Sequence, residues 1–246
     1  MTCALIALVA AYSAAQSPGA QLLEKFSKAL NSAKTLNVTY TVQAIGGAPN
    51  TYTIELAKPN LAKIDSVYQL ITADGANITT YDKKLKTYYK KKQTDAEVAK
   101  LLSNGDFMIW LPFFDNTATT KFKAIRSLGT KVRKNVTYQA VEFVLQGGQP
   151  TKVTYYLSNE DFIARQAEFS AKNLNVIETI IFNTQKLSVG AENPDVKKFA
   201  FVAPTGSREL SEAELNAGKW YTSIDEALEV AKSTNKVVLA YFGTDW

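Results

Sequence analysis

The alternation in residues 50–89 limits the folds open to this chain more than any other feature. The stretch reads NTYTIELAKPNLAKIDSVYQLITADGANITTYDKKLKTYY. Tyr52, Ile54 and Leu56 are apolar, with Thr51, Thr53 and Glu55 between them. A period of two means that one face of the strand is buried and the other is wet. Lys58-Pro59-Asn60 and Ala73-Asp74-Gly75 supply turn chemistry: Pro59 donates no ladder hydrogen bond, and Asp-Gly suits a tight hairpin. The expectation is an antiparallel meander with one apolar face, and that face must be covered.

Two segments offer the cover. Ala20–Ala33 places Leu22, Leu23, Phe26, Ala29, Leu30 and Ala33 at helical spacing, a stripe that must lie on something apolar. Residues 106–114 read DFMIWLPFF, the most apolar and aromatic run after the first few residues. Phe107, Trp110, Phe113 and Phe114 carry large apolar area, and Met108 is soft and adaptable. Such a segment is either core packing under the sheet or a lid over an apolar cavity.

The rest of the chain continues the pattern. Leu36–Ala44, LNVTYTVQA, alternates cleanly and leads through Gly46–Asn50 into the meander. Thr94-Asp95-Ala96-Glu97 is a capping box opening a short helix with Val98, Leu101 and Leu102 on one side. Strand character returns over Thr120–Arg126, Val132–Gln146, Lys152–Ser158, Phe162–Ser170, Leu174–Gln185 and Lys198–Val202. Up to Gly206 the reading gives about ten or eleven strands and two or three helices, with no alternation of strand and helix. The fold class is therefore α+β: a large curved antiparallel sheet with helices on one face. The last part differs. Capping boxes at Ser211 and Ser223 open helices, the second with Ala227, Leu228, Val230 and Ala231 inward, and Lys236–Phe242, KVVLAYF, reads as a buried, parallel strand.

Composition removes several functions. There is no histidine, so a histidine-based triad, histidine metal ligation and a histidine pH switch are excluded. The single cysteine, Cys3, cannot form an internal disulfide. No catalytic constellation, metal-binding spacing or cofactor fingerprint is present. The formal charge of +5 fits a solvated basic surface. Lys83–Lys92 mixes lysines and tyrosines, which suits a single-strand nucleic-acid platform, but an edge hairpin kept soluble by lysines is the better reading, and no nucleic-acid partner is expected. Residues 1–15 run apolar and then small, as in a secretory signal lacking its basic start, so the protein is expected to be exported to the periplasm or beyond.

Six pieces, in order, carry a resemblance: the N-terminal helix, LNVTYTVQA, the Lys58-Pro59-Asn60 turn, Leu70–Gly75 with Tyr81-Asp82, DFMIWLPF, and Lys198–Gly206, KFAFVAPTG. Residues from about 21 to 206 resemble the periplasmic lipoprotein-carrier superfamily, LolA- and LolB-like, including the DUF2092 group. The resemblance implies an unclosed β-barrel with helices over its concave face. It also implies a hydrophobic cavity for lipid acyl chains or lipoproteins, a membrane-bound transfer partner, no cofactor, no catalysis and a monomer. The cavity wall would be Val38, Tyr40, Val42, Tyr52, Ile54, Leu56 and Ile64, and the lid Phe107, Met108, Trp110, Leu111 and Phe113. Where such carriers often have an arginine before the Pro-Asn pair, this chain has Lys58, which becomes the candidate gate. A lysine is a point charge and lacks the fork with which arginine holds backbone.

The tail, KWYTSIDEALEVAKSTNKVVLAYFGTDW, resembles the start of a thioredoxin-like domain of the thiol:disulfide interchange type, in which Cys-x-x-Cys follows next. The expected organisation is a signal over 1–15, a carrier-like domain over 16–206, a linker over 207–218 and an incomplete thioredoxin-like domain over 219–246. The first functional expectation is an exported, non-catalytic acyl-chain or lipoprotein carrier. The alternative is the N-terminal module of a thiol-disulfide oxidoreductase.

Overall fold

The computed structural model describes residues 16–103, 105–145, 151–173, 176–215, 223–234 and 237–238. The expected signal, most of the Lys236–Phe242 strand and residues 239–246 lie outside them. Twelve strands form a single open sheet in the order β12-β6-β5-β4-β3-β2-β1-β11-β10-β9-β8-β7. The fold class is as read: an unclosed sheet with a few helices packed on one face.

The first meander runs β1 (Thr35–Ala44), β2 (Asn50–Ala57), β3 (Leu61–Ser66), β4 (Gln69–Ala73), β5 (Asn77–Asp82) and β6 (Thr87–Lys92). The second runs β7 (Lys123–Arg133), β8 (Val136–Leu145), β9 (Thr151–Ser158), β10 (Ala164–Asn173) and β11 (Val176–Gly190). They are joined by β1 against β11, with Thr35 opposite Gly190 and Ala44 opposite Ile180. Two-residue β12 (Arg208–Glu209) adds in parallel to β6, so the start of the expected linker is part of the sheet.

Helix α1 (Pro18–Ser32) begins where the Ser17 hydroxyl accepts from the Ala20 N–H and Pro18 occupies the first turn. Its stripe of Leu23, Phe26 and Leu30 is buried against the sheet. At Gly19 the helix backbone comes so close to β7 that an added Cβ would stand 2.7 Å from the Arg126 carbonyl carbon. Helix α2 (Asp95–Leu102) starts at Thr94, whose hydroxyl accepts from the Glu97 N–H. Val98 and Leu102 are buried. DFMIWLPFF gives a 3-10 turn, Met108–Phe113, lying between the helices and the sheet.

Three local readings are corrected. The run read as Val132–Gln146 is broken by the β7–β8 turn at Lys134-Asn135, both with positive φ, and β7 runs on through Ser127–Lys131. Gly129 sits at one of two bulges within β7. Lys198–Val202 is not a strand: Val196–Phe199 is a 3-10 turn, and residues 200–202 have no ladder partner among the described residues. Phe199 is buried against Ala57 and Leu61, and that packing outweighs the β-propensity of the segment. In the tail, α3 (Glu212–Leu215) and α4 (Ile224–Thr234) are present, but Leu228, read as inward, is exposed.

Candidate functional site: the covered face of the sheet

All seven wall residues point to the face that carries the helices. Val38, Tyr40 and Val42 alternate along β1, Tyr52, Ile54 and Leu56 along β2, and Ile64 follows on β3. The register puts Tyr40 opposite Tyr52, Val38 opposite Ile54, and Ile54 opposite Ile64. Every one is buried. The same cluster takes in Phe107, Trp110 and Phe113, with Met108 and Leu111 packed at its margin. The structure therefore brings the expected wall and the expected lid into direct association, and the lid's rings fill the space against the wall.

Aromatic geometry defines the join. The Tyr40 and Tyr52 rings stack at 5.6 Å. Phe107 meets Tyr52 edge-on at 5.2 Å, and Trp110 meets Tyr40 edge-on at 5.7 Å. These are the offset and T-shaped arrangements that ring quadrupoles favour. On the far side of Tyr40, Phe182 of β11 stacks at 6.3 Å and in turn meets Phe169 of β10 at 4.8 Å.

Polar contacts hold one end of the segment expected to be the lid. Tyr40 donates to the Asp106 carbonyl at 2.7 Å, and Tyr52 donates to the Asp106 carboxylate at 2.5 Å. A hydrogen bond to a carboxylate is the stronger kind. Burial, followed by the neighbouring Asp106 charge, pushes the Tyr40 hydroxyl well above its ordinary range. Burial and the hydrogen bond to Asp106 do the same to Tyr52. The buried Trp110 indole N–H makes no hydrogen bond of normal geometry among the described residues, but it approaches the Tyr40 hydroxyl closely enough to offset part of that rise.

The other end of this segment is held more loosely. Lys58, the candidate gate, places its ammonium over the Phe113 ring at 5.1 Å. Burial lowers its pKa. Asn31 of α1 reaches the Pro112 and Phe113 carbonyls at 3.5 Å, the limit of a hydrogen bond. Sequence reasoning named the rings and Lys58 but passed over Asp106 and Phe182. A charged residue opening an aromatic run was the available sign for the first. Phe182 lies in a recognised strand, but only pairing with β1 brings it to Tyr40.

A second feature lies on the opposite face. A groove of about 810 Å³ is lined by Thr41, Tyr138, Asn159, Arg165, Gln166 and Asn183, among others. Its lining is polar, so it is distinct from the apolar layer under the helices. Among the described residues no group of three or more carboxylates or cysteines is placed to hold a metal ion. No described helix is long and apolar enough to cross a membrane.

No protein-family model matches the chain, and no curated protein does. Solved structures do. The chain is similar to the Mycobacterium tuberculosis lipoprotein LppX at 13% identity and a TM-score of 0.43, covering 73% of this chain and 100% of that one. It is similar to LprF from Mycobacterium bovis at 12% identity and a TM-score of 0.42, covering 72% and 96%. It is also similar to a LolA superfamily protein from Nitrosomonas europaea at 14% identity and a TM-score of 0.34, covering 74% and 97%.

Proposed function

We propose that this chain is a non-catalytic binding module whose covered face accepts a lipid acyl chain, free or attached to a lipoprotein, when the segment Phe107–Phe113 moves aside. The periplasmic carrier role expected from the sequence belongs to the same reading. One observation carries it: the lid meets the wall through rings and is tied by a latch at one end and, at the other, by a cation–ring contact and the long Asn31 hydrogen bonds.

Magnitudes support an exchange. Three large rings bury about 150–250 Å² each, or roughly 11–19 kcal/mol at about 25 cal/mol per Å². An acyl chain of about 14–16 carbons gains roughly 11–13 kcal/mol at about 0.8 kcal/mol per methylene. The wall gains comparably from either occupant, so the lid's side chains act as a placeholder for cargo. Lys58 serves as a weak gate, because a cation–ring contact contributes only about 0.5–2 kcal/mol.

The test is titration of the full chain with a fluorescent fatty acid. Binding in the micromolar range is expected, and Tyr52→Phe, which cuts the latch without emptying the core, should tighten it several-fold. Absence of binding by both forms would overturn the reading.

A further inference from the structure

The two ends of the sheet differ in a way that the covered face does not explain. The turns at one end are polar: Lys58-Pro59-Asn60, Asp74-Gly75-Ala76 and Lys134-Asn135. Apolar exposure at that end is limited to valines: Val132 and Val136 flank the last of these turns, Val189 lies opposite Leu36 at the start of β1, and Val196 opens the 3-10 turn that packs on Ala57 and Leu61. At the other end, apolar side chains project into solvent from one turn after another. Ile45 is 72% exposed beyond β1, Val67 and Tyr68 are 71% and 64% exposed between β3 and β4, and Leu85 is 68% exposed between β5 and β6. Ile177, near the start of β11, is 70% exposed. Exposed apolar residues scattered singly need no explanation. Their collection at one end of neighbouring strands does.

The turns are structurally continuous along that end. The Lys83 N–H donates to the Tyr68 carbonyl at 2.9 Å, joining the Leu85 turn to the Val67 turn. The Ile45 N–H donates to the Thr179 carbonyl at 3.1 Å, joining the first hairpin to β11. Charge is arranged around them. Lys84 and Lys86 flank Leu85, are exposed, and make no ion pair among the described residues. The acids nearby are already engaged: Asp65 pairs with Lys83 at 2.5 Å, and Asp82 accepts from the Leu85 N–H at 2.7 Å. Glu178, beside Ile177, marks the limit of the basic side.

We propose that this rim docks the chain on an anionic lipid surface, with Ile45, Val67 and Leu85 entering the headgroup boundary and Lys84 and Lys86 meeting lipid phosphates. Separate side chains on separate turns suit a fluid bilayer, which closes around each one, better than a protein surface, which needs a continuous complementary patch. A tyrosine among them suits the water–lipid boundary. The lysines add electrostatic attraction that falls away with salt. The latch lies beneath the same rim, since Tyr52 pairs with Ser66, the residue before Val67. Docking does not depend on the acyl-chain reading, although the two together would open the lid towards the membrane.

The experiment is co-sedimentation of the full chain with vesicles of phosphatidylglycerol and phosphatidylethanolamine, against vesicles of phosphatidylcholine alone. Preferential binding to the anionic vesicles is expected, declining with salt. Ile45→Ser and Leu85→Ser should each weaken it about tenfold, because each removes one inserted aliphatic side chain. Val132→Ser, exposed at the other end, should leave it unchanged. All three sites are exposed, so the fold tolerates them. No binding to anionic vesicles would overturn the proposal, and so would equal loss in all three variants. Self-association in ultracentrifugation that Ile45→Ser and Leu85→Ser abolish, without vesicle binding, would reassign the rim to contact between copies. Fatty-acid binding by Leu85→Ser without vesicles should match that of the unaltered chain, which separates failure of docking from failure of cargo binding.

Discussion

The Tyr52 hydroxyl donates to the Asp106 carboxylate at 2.5 Å, tying the second strand of the sheet to the residue from which the aromatic segment begins. Removing that hydroxyl leaves a carboxylate that has lost a donor, while the ring stack with Tyr40 remains. Tyr52→Phe should therefore cost about 1.5–3 kcal/mol, the range for hydrogen bonds to charged groups. Backbone amides of Phe107–Phe113 should exchange with solvent markedly faster, while those of β9 and β10 stay protected. Hydrogen-exchange mass spectrometry reads both. Uniform acceleration would show that the bond supports the whole fold and not the lid.

Alkaline pH should unfold this protein cooperatively. Burial raises the pKa of Tyr40, Tyr52 and Tyr155, and burial with the Glu168 charge raises Tyr156 to about 12. An acid whose folded pKa lies above its unfolded value of about 10 contributes stability that is complete below that value and is lost as pH rises beyond it. Stability should be flat through neutral pH from these groups and fall above about pH 10. Absorbance of tyrosinate should show these four ionising together with unfolding of the sheet, followed by circular dichroism.

Gly19→Ala should destabilise, against helix propensity. Alanine is the better helix former by about 1 kcal/mol. Its Cβ would stand 2.7 Å from the Arg126 carbonyl carbon and 2.8 Å from the Ser127 nitrogen, both backbone atoms of the bulged edge strand. Forcing helix and strand apart costs about 1–3 kcal/mol. A lower melting temperature by calorimetry checks the sign, and a gain would show that α1 can tilt away freely.

Lys58 makes a subtler case. Lys58→Met keeps the stem and removes the charge over Phe113, so a loss of about 0.5–1 kcal/mol in urea unfolding is expected. Lys58→Arg should hold the ring at least as well and offers a fork to backbone carbonyls. It should slow exchange across Met108–Phe113 compared with the unaltered chain.

The legible part of the fold was the part written in short-range pattern. Alternation at Val38, Tyr40 and Val42, and again at Tyr52, Ile54 and Leu56, identified the buried face because a pleated strand puts successive residues on opposite sides. The aromatic run at 107–114 was recognised by its content. Its packing was not, since a segment of that composition can line a space or fill it, and only the contacts of Trp110 and Phe107 with the tyrosine pair distinguish the two. The turn at Lys134-Asn135 was missed because it carries no glycine or proline, and the run Val132–Gln146 looked continuous across it. The β1–β11 pairing leaves no local mark, because a register between distant strands is decided by what each half buries. The apolar residues at Ile45, Val67 and Leu85 were visible as letters, but nothing in the sequence puts their turns on one side of the molecule.

That pairing of first and eleventh strands has a consequence for how the molecule comes into being. Thr41 sits opposite Asn183, about 140 residues later, and this junction lies at the centre of the sheet, not at its rim. During synthesis the first six strands can zip hairpin by hairpin, yet the outer flank of β1 stays unsatisfied until residues 176–190 exist. Contacts this distant in sequence slow folding, and a half-built sheet with a bare central edge invites association with other chains. The first half of the sheet is thus obliged to wait with its central edge bare until β11 has been made.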